Sequence, residues 1–274
     1  MKKAHVSRIM GRTGTYVVAI LLMIWVLLPI YLITVMTFST KAGVYIFPKP
    51  LFPQPISTET FLFFINSTGV LKSALNSVIV AVTSMILAII VGAPAGYALA
   101  RYIFRGRDLY RLAVISTRAF PAVILSIPLA VTFIKWGMYD SIFSLALVHT
   151  AISLPFTVLI TGSVFSGVPK DLEEAAQTLG CNGVTAFVKV TLPLALPGLA
   201  AATLFNFVGS WNEVFSSVIL TVRNRTLPAL VLASLNVSPL PYRFAGAFFM
   251  MIPSLVFMLF IRRYLFNLWG RVVK

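Results

Sequence analysis

The sequence has few acidic residues and few of the side chains that bind metals or form disulfides. Its 274 residues include 7 Asp and Glu, 2 His and 1 Cys. A single cysteine, Cys181, excludes an intrachain disulfide. No H-E-x-x-H or C-x-x-C sequence occurs, so we expect no metal site built from histidine or cysteine. The scattered carboxylates give little support to a membrane hydrolase, and we predict no catalytic residue.

The sequence also lacks a motif for nucleotide binding. No G-x-x-x-x-G-K-S/T sequence is present, so the chain has no backbone loop of this kind to hold nucleotide phosphates. We therefore expect no cofactor in this chain. Any ATP that serves its function must be bound by another chain.

Hydrophobic residues, in contrast, are abundant. They make up 59% of the chain, charged residues make up 11%, and the mean hydropathy is +0.95. Soluble domains are about 45 to 50% apolar, so this composition indicates a membrane protein with several spans. Six runs have the length of roughly 20 helical residues that a bilayer requires. They are residues 16–36, 74–99, 112–134, 142–164, 199–221 and 244–261.

These runs predict an all-α membrane protein in which residues 1–274 form a single transmembrane domain. Continuous hydrophobicity over such lengths differs from the alternating pattern of a membrane β-barrel. Pro121, Pro128 and Pro155 interrupt the third and fourth runs. Interruptions of this kind either line a cavity or a moving element, or are ordinary kinks, and the sequence leaves both interpretations open.

The net charge of +15 comes mainly from basic residues at the ends of the runs, not from one dense patch. We therefore expect this charge to face a lipid membrane and not nucleic acid. Fourteen Lys and Arg residues fall on the side that holds both termini, and seven fall on the other side. The positive-inside rule then predicts that both termini are cytoplasmic. The fourteen are Lys2, Lys3, Arg8, Arg12, Arg101, Arg105, Arg107, Arg111, Lys170, Lys189, Arg262, Arg263, Arg271 and Lys274.

A more polar segment at about residues 165–195, between the fourth and fifth runs, has the pattern of an amphipathic helix-turn-helix. Pro169 suits a helix start, and Gly180 is the expected stop. Asn182 can cap a second helix, which Pro193 would end. Small alanines on the first helix would let another protein approach its backbone closely, so this hairpin needs a partner. The apolar face of the first helix consists of Leu172, Ala175, Ala176 and Leu179.

A charged residue inside a predicted span is the second unusual feature. Glu213 falls near the middle of the fifth run, where a charge costs roughly 2.5 to 3.5 kcal/mol on insertion scales. A polar face around it would fit a water-filled pathway or a subunit seam. The alternative is a local polar cluster that holds helices together, with Arg118 as the partner of Glu213. The predicted face consists of Asn206, Ser210, Glu213 and Ser217. A weaker polar stripe beside His149 consists of Thr150, Ser153, Thr157 and Thr161.

The hairpin also carries a recognisable motif. Glu174-Ala175-Ala176 is followed after three residues by Gly180 and after nine more by Val190-Thr191-Leu192-Pro193. This pattern resembles the EAA signature of ABC importer permeases, with valine at Val190 where isoleucine is common. In that family the loop docks into a cleft on a separate ATPase subunit, so the resemblance implies a non-catalytic chain that couples to an ATPase. The implied coupling residues are Leu172, Glu173, Glu174, Ala175, Ala176, Leu179, Gly180, Val190 and Pro193.

Other stretches narrow the resemblance to the carbohydrate-uptake branch, in particular to the G-like subunit of maltose permeases. They are ALARYIFRGR at 98–107, LPF at 154–156, VPKDLEE at 168–174 and WNE at 211–213. The similarity extends from the second span to about Leu227. In maltose-type systems the membrane sugar site belongs mainly to the companion permease, so the resemblance assigns no sugar contact to this chain.

The resemblance implies a heteromer in a bacterial or archaeal cytoplasmic (inner) membrane. Besides this chain, the heteromer would contain a companion permease subunit, two ATPase subunits that bind ATP and Mg2+, and an external solute-binding protein. Transport of a sugar or polyol would proceed by alternating access. Two alternatives stay open: a related importer for polyamine, phosphate or glycerol-phosphate, and an ATP-independent channel or membrane scaffold.

Overall fold

A computed structural model describes the backbone of residues 2–53, 55–234 and 236–269 and the side chains of 13–53, 55–234 and 236–262. Every regular element in these ranges is helical, which confirms the predicted all-α fold. Arg271 and Lys274, which entered the charge count, lie outside the described residues. The α-helices of the described part are α1 (Lys2–Thr37), α2 (Glu59–Ile65), α3 (Val70–Arg101), α4 (Arg107–Ser116), α5 (Ala122–Lys135), α6 (Ile142–Ser166), α7 (Lys170–Thr178), α8 (Gly183–Ala186), α9 (Leu192–Trp211), α10 (Phe215–Leu220), α11 (Leu227–Ser234) and α12 (Leu240–Trp269).

Several of these helices can cross a membrane. Within the described residues, five helical stretches are long and apolar enough to do so alone, and the bent pair of α4 and α5 raises the number to six if it counts as one span. The first, second, fourth and sixth predicted spans each overlap one of the five. The five stretches are Thr13–Thr37, Val70–Arg101, Ile142–Ser166, Gly183–Trp211 and Leu240–Arg262.

The third predicted span, 112–134, contains a sharp bend. A short 3₁₀ turn, Thr117–Ala119, follows α4, and Pro121 immediately precedes α5. The two helices meet at 88°. Pro128 and Pro155 lie inside α5 and α6. Arg118 therefore lies in a bend between two helices, and not on a continuous membrane helix as its place within the third run had led us to expect.

The predicted bounds of the fifth span, 199–221, are wrong. A π-helical turn, Phe187–Thr191, joins α8 to α9, and α9 already ends at Trp211. Pro193 does not end the second hairpin helix as predicted. It lies at the start of α9, directly after the π-helical turn, and the helical path from Gly183 to Trp211 continues through it. Glu213 lies in the break between α9 and α10, so the predicted polar face is not one continuous helical face.

Close packing of α3, α6 and α9 forms the centre of the unit that contains residues 69–234 and 252–274. A Cβ atom on Gly96 would lie 2.1 Å from Thr161 Oγ1 and 2.7 Å from the backbone nitrogen of Gly162. A Cβ atom on Gly198 would lie 2.5 Å from the side chain of Val164. Only glycine allows the three helix backbones to approach this closely.

Asp140 joins two loops of the same unit. Its carboxylate accepts hydrogen bonds from the backbone N–H groups of Val222 (2.8 Å), Arg223 (3.1 Å) and Asn224 (3.0 Å). Burial alone would raise the pKa of Asp140, but these three donors lower it below its ordinary value. The turn between α5 and α6 is therefore tied to the segment that follows α10.

The other unit consists of residues 1–68 and 235–251 and contains α1, α2 and the first part of α12. Val35, Met36 and Val44 form its buried core, with Phe244 packed against them. Side chains from 13 to 30 on α1 are exposed, and most of them are apolar, as expected of a helix that faces lipid. The single domain over 1–274 stays a prediction.

Candidate functional sites

The hairpin begins with α7 and ends in the turn into α9. Gly180 follows α7 with a φ of +92°, a conformation that favours glycine. The N–H of Cys181 donates to the carbonyl oxygen of Ala176 over 3.0 Å and closes the helix end. Asn182 Oδ1 accepts from the N–H of Thr185 over 2.8 Å at the start of α8. The predicted stop and the predicted cap are both confirmed.

One side of the hairpin is apolar and exposed. Leu179 is 86% exposed and Leu172 is 46% exposed, and Ala175 between them is also exposed. Apolar side chains this exposed, next to each other in a polar segment, are typical of an interaction surface. Val184 and Val188, in the second half of the hairpin, are exposed as well. We refer to this surface as the hairpin face; it consists of Leu172, Ala175, Ala176, Leu179, Val184 and Val188.

The remaining predicted coupling residues surround this surface. Glu174 is exposed and forms an ion pair with Lys170 at 2.9 Å, one helical turn earlier. Val190 is half-buried in the π-helical turn, and Pro193 is exposed at the start of α9. Glu173 differs from all of them because its side chain is only 8% exposed.

Glu173 is the centre of a buried polar network. Its carboxylate pairs with Arg101 Nε at 3.1 Å and accepts hydrogen bonds from Tyr97 Oη and from Thr191 Oγ1, the latter over 3.0 Å. Arg101 Nη2 also donates to the carbonyl oxygen of Val168 over 3.0 Å. Because these partners lie on α3, on the π-helical turn and just before α7, the network fixes the hairpin to the membrane helices. The sequence grouped Glu173 with the docking residues, but the structure directs its side chain inward.

A second polar cluster surrounds Glu213. His149 Nε2 lies 3.2 Å from Glu213 Oε2, and the N–H of Ser216 donates to Oε1 over 3.0 Å. Ser217 approaches the same carboxylate through its N–H at 3.3 Å and its Oγ at 3.4 Å. His149 Nδ1 is 2.7 Å from Ser210 Oγ on α9. The cluster therefore joins α6, α9 and α10.

The predicted pairing of Arg118 with Glu213 is wrong. Arg118 lies over the ring of Phe156, 5.5 Å from its centroid, and among the described residues no carboxylate lies within ion-pair distance of it. The bend before α5 directs Arg118 elsewhere, and His149 on α6 pairs with Glu213 instead. In the sequence analysis, His149 was noted only beside a polar stripe. Ser153 lies one helical turn after His149, and Phe156 lies one turn after Ser153. This spacing is the sequence signal that the three residues share a face of α6.

Two cavities lie in this part of the molecule, and the first of them borders the Glu213 cluster. The first has a volume of about 380 Å³, and its lining includes Arg118, Ser153, Phe156, Phe205, Asn206 and Glu213. The second, of about 340 Å³, is lined in part by Pro121 and Pro155, so these two interruptions do border a cavity. Arg118 lines both.

Asn206 and Ser210, but not Ser217, line the first cavity. Asn206 is 3% exposed, and its Oδ1 accepts from Thr157 Oγ1 over 2.9 Å. Its Nδ2 is buried without a hydrogen-bond partner among the described residues. In the predicted stripe on α6, Thr150 and Thr161 donate to carbonyl oxygens of their own helix, and the single hydroxyl proton of Thr157 is shared between the Ser153 carbonyl oxygen and Asn206 Oδ1. Of the four stripe residues, only Ser153 lines the first cavity.

Most of this chain matches a known protein family. Residues 92–268 match the family described as "Binding-protein-dependent transport system inner membrane component". The matched range includes the hairpin face, Glu173, Glu213 and the cavity beside Glu213.

Curated relatives agree with this match. The diacetylchitobiose uptake system permease protein NgcG of Streptomyces coelicolor is 34% identical over 203 residues, which cover 73% of this chain and 67% of the relative. The trehalose transport system permease protein SugB of Mycobacterium tuberculosis is 29% identical over 273 residues, which cover 96% of this chain and 99% of the relative.

Solved structures show the same fold. A crystal structure of a bacterial ABC transporter involved in the import of the acidic polysaccharide alginate matches with a TM-score of 0.74 and 22% identity, covering 94% of this chain and 97% of the matched chain. The family match and the relatives confirm the resemblance inferred from the EAA signature. This chain therefore belongs to the family of binding-protein-dependent transport system inner membrane components, as a non-catalytic permease subunit of the ABC type.

Proposed function

We propose that this chain is the permease subunit of an importer that moves a sugar or polyol across a bacterial or archaeal cytoplasmic membrane by alternating access. Separate ATPase subunits, which bind ATP and Mg2+, drive the cycle, and an external solute-binding protein delivers the solute. A companion permease completes the membrane part. The exposed hairpin face, fixed to the membrane helices by the Glu173 network, is the observation that carries this proposal.

The hairpin face docks into the ATPase subunit. Its leucines, alanines and valines present apolar surface with little side-chain bulk at Ala175 and Ala176, which lets a partner approach the α7 backbone. Burial of this surface would contribute roughly 25 cal/mol for each Å² of apolar area removed from water. The same assignment places the hairpin and both termini in the cytoplasm, in agreement with the distribution of Lys and Arg.

Glu173 transmits movement from the docked hairpin to the membrane helices. Its partners Arg101, Tyr97 and Thr191 belong to α3 and to the turn into α9, so a shift of α7 must move both elements or break a buried ion pair. Removing one partner of such a pair costs about 3 to 5 kcal/mol. Rigid motion of the three elements is therefore the lower-energy response to closure of the ATPase subunits.

The polar cavity beside Glu213 belongs to the translocation pathway or to the seam with the companion permease. Arg118, Asn206, Ser210 and Glu213 give it polar character in an otherwise apolar region. Names of relatives favour a sugar as cargo: one is a diacetylchitobiose permease, one a trehalose permease and one a sulfoquinovosyl glycerol permease.

Leu179→Asp tests the docking assignment. The substitution places an unpaired carboxylate in the proposed contact, and a penalty of about 3 kcal/mol would weaken ATPase binding roughly 100-fold. We expect the variant to insert in the membrane, to lose copurification with the ATPase and to lose transport of trehalose or N,N′-diacetylchitobiose in proteoliposomes. Leu179 is 86% exposed, so the free subunit should tolerate the change.

Val237→Asp is the matched control, because Val237 is also 86% exposed but lies far along the chain from the hairpin. It should leave copurification and transport unchanged. Normal ATPase binding by Leu179→Asp would contradict the docking assignment. Failure of the unmodified chain to bind any ATPase would instead favour a channel or a membrane scaffold.

A further inference from the structure

The short loop between α3 and α4 carries apolar side chains that the rest of the chain does not cover. The loop comprises residues 102–106, and we refer to it as the elbow. Ile103 at its tip is 92% exposed, and its neighbours Tyr102 and Phe104 are exposed as well. Three adjacent apolar side chains with this exposure indicate an interaction surface.

The elbow lies at the end of a membrane span, next to the hairpin. It follows α3, which is long and apolar enough to cross a bilayer, and it leads into the bent pair of α4 and α5. Five extended residues span at most about 18 Å, so the elbow cannot reach far beyond the ends of these helices. Arg101, the last residue of α3, pairs with Glu173 of the hairpin, which places the elbow on the same side of the molecule as the hairpin.

Basic side chains fix the elbow to the end of α3. Arg107 Nε and Arg111 Nη2 both donate to the carbonyl oxygen of Leu99, over 2.9 Å and 3.1 Å. The N–H of Arg107 donates to the carbonyl oxygen of Phe104 over 3.2 Å. The elbow is therefore held in place by its own chain, while the side chain of Ile103 stays exposed.

The charge of the elbow is positive. Arg105 is exposed, and no carboxylate in the described part of the chain lies within ion-pair distance of it. Asp108, the nearest acidic residue in the sequence, lies 3.7 Å from Arg111 instead. Basic groups next to exposed apolar and aromatic side chains are typical of a segment that lies in the interface of an anionic membrane.

We propose that the elbow binds anionic phospholipid in the cytoplasmic leaflet. Ile103 and Phe104 enter the boundary between headgroups and acyl chains, and the Arg105 guanidinium donates hydrogen bonds to a lipid phosphate. The short loop between two spans keeps these groups at the bilayer surface, which favours lipid over a protein partner. The cytoplasmic orientation rests on the proposed function, and the inference goes beyond that function because it gives the chain a lipid site beside the docking hairpin.

Quenching of a fluorescent label by lipid tests this inference. The chain has a single cysteine, so Cys181→Ser gives a background without thiols. In that background Ile103→Cys places a bimane label at the tip of the elbow, and Val184→Cys places one on the hairpin face as the matched control, since Val184 is also an exposed apolar residue. The full chain is reconstituted in nanodiscs of equimolar dioleoylphosphatidylcholine and dioleoylphosphatidylglycerol. One of the two lipids carries a doxyl quencher near the headgroup end of its acyl chains.

The label at Ile103→Cys should be quenched, and more strongly by doxyl-phosphatidylglycerol than by doxyl-phosphatidylcholine. The label at Val184→Cys should stay unquenched. Adding Arg105→Gln should lower the preference for phosphatidylglycerol about fivefold, the effect of one basic group near an anionic surface. Lys189→Gln, which removes an exposed positive charge from the hairpin, should leave this preference nearly unchanged.

Four outcomes would overturn the inference. Absence of quenching at both positions overturns it and leaves the docking of the hairpin intact. Equal quenching of Ile103→Cys by the two lipids removes the role given to Arg105. Loss of this quenching when the ATPase subunits are added would assign the elbow to the ATPase interface instead. Quenching at Val184→Cys but not at Ile103→Cys would overturn both proposals, because the hairpin and not the elbow would then lie in the membrane.

Discussion

Glu173 and Glu213 are both largely buried, but the chain neutralises them in different ways. Glu173 pairs with Arg101, a side chain that stays charged, and both are less than 10% exposed. Glu213 is surrounded by His149 and by hydroxyl and N–H groups of Ser216 and Ser217, and imidazole can donate a hydrogen bond even when it is neutral. One carboxylate belongs to a fixed ion pair, and the other belongs to a group of exchangeable hydrogen bonds.

This difference corresponds to the two proposed roles. A joint that transmits movement must not rearrange, and an ion pair without access to water is expensive to break. A site that contacts a solute must exchange partners, and hydroxyl groups do so at a small cost for each bond. The chain therefore pairs Glu173 with a permanent charge at the hairpin and holds Glu213 with His149 and with groups of Ser216 and Ser217 beside the cavity.

Glu173→Leu should destabilise the chain more than any other substitution considered. A small effect would mean that the Glu173 network is not rigid and would remove the contrast with Glu213. We expect the free energy of unfolding to fall by about 3 to 5 kcal/mol, because the substitution leaves Arg101 buried without a counterion. Unfolding of the detergent-solubilised subunit, followed by circular dichroism, measures this change. ATPase stimulation by the solute should be lost in the assembled complex.

Arg101→Met is the second half of the test. Combined with Glu173→Leu it removes both charges, so the double variant should be more stable than Glu173→Leu alone. Additive destabilisation by the two substitutions would mean that the pair contributes little, and the hairpin would then need another connection to α3.

Glu213→Gln tests the second buried carboxylate and should destabilise the chain less than Glu173→Leu does. The amide can still accept from the N–H of Ser216 but loses the charge, so we expect a cost of about 1 to 2 kcal/mol. Transport by the reconstituted complex should fall more than assembly does, measured by copurification. Destabilisation as large as that of Glu173→Leu would remove the distinction between the two carboxylates.

Asp140→Asn should have the smallest effect, because Asp140 holds a loop through backbone N–H groups and is partly exposed. We expect a loss of about 1 kcal/mol at neutral pH. The pKa of Asp140 is lowered in the folded chain, so its stabilising contribution is present above the unfolded value of about 3.9 and is lost as the pH falls through the folded value.

The stability difference between the unmodified chain and Asp140→Asn should therefore be constant from pH 5 to 7, should begin to shrink below about pH 4, and should be lost only when the pH falls below the lowered pKa of Asp140. Thermal unfolding at a series of pH values measures it. A difference that grows as the pH falls would contradict the role given to these hydrogen bonds.

The hairpin was predicted well because its signals are local. A glycine that stops α7 and an asparagine that caps α8 act on backbone groups within a few residues, and the apolar spacing at Leu172 and Leu179 follows from helix geometry alone. The spans were also visible, since about 20 apolar residues are needed wherever a helix crosses a bilayer.

The sequence failed where partners come from distant elements. Arg118 appeared to be a suitable partner for Glu213, but the 88° bend between α4 and α5 separates them, and His149, 64 positions before Glu213, occupies that place. The termination of the second hairpin helix at Pro193 was also wrong, because the π-helical turn puts this proline in the first turn of α9.

The sequence by itself determined the membrane class, the helical spans, the hairpin and the family signature, because hydrophobic length, capping and motif spacing depend on neighbouring residues. Only the tertiary structure decided that Glu173 points inward, that Glu213 pairs with His149 and that Asn206 is buried against Thr157. Those outcomes depend on how closely α3, α6 and α9 pack, and a linear pattern does not encode which distant side chains that packing brings together.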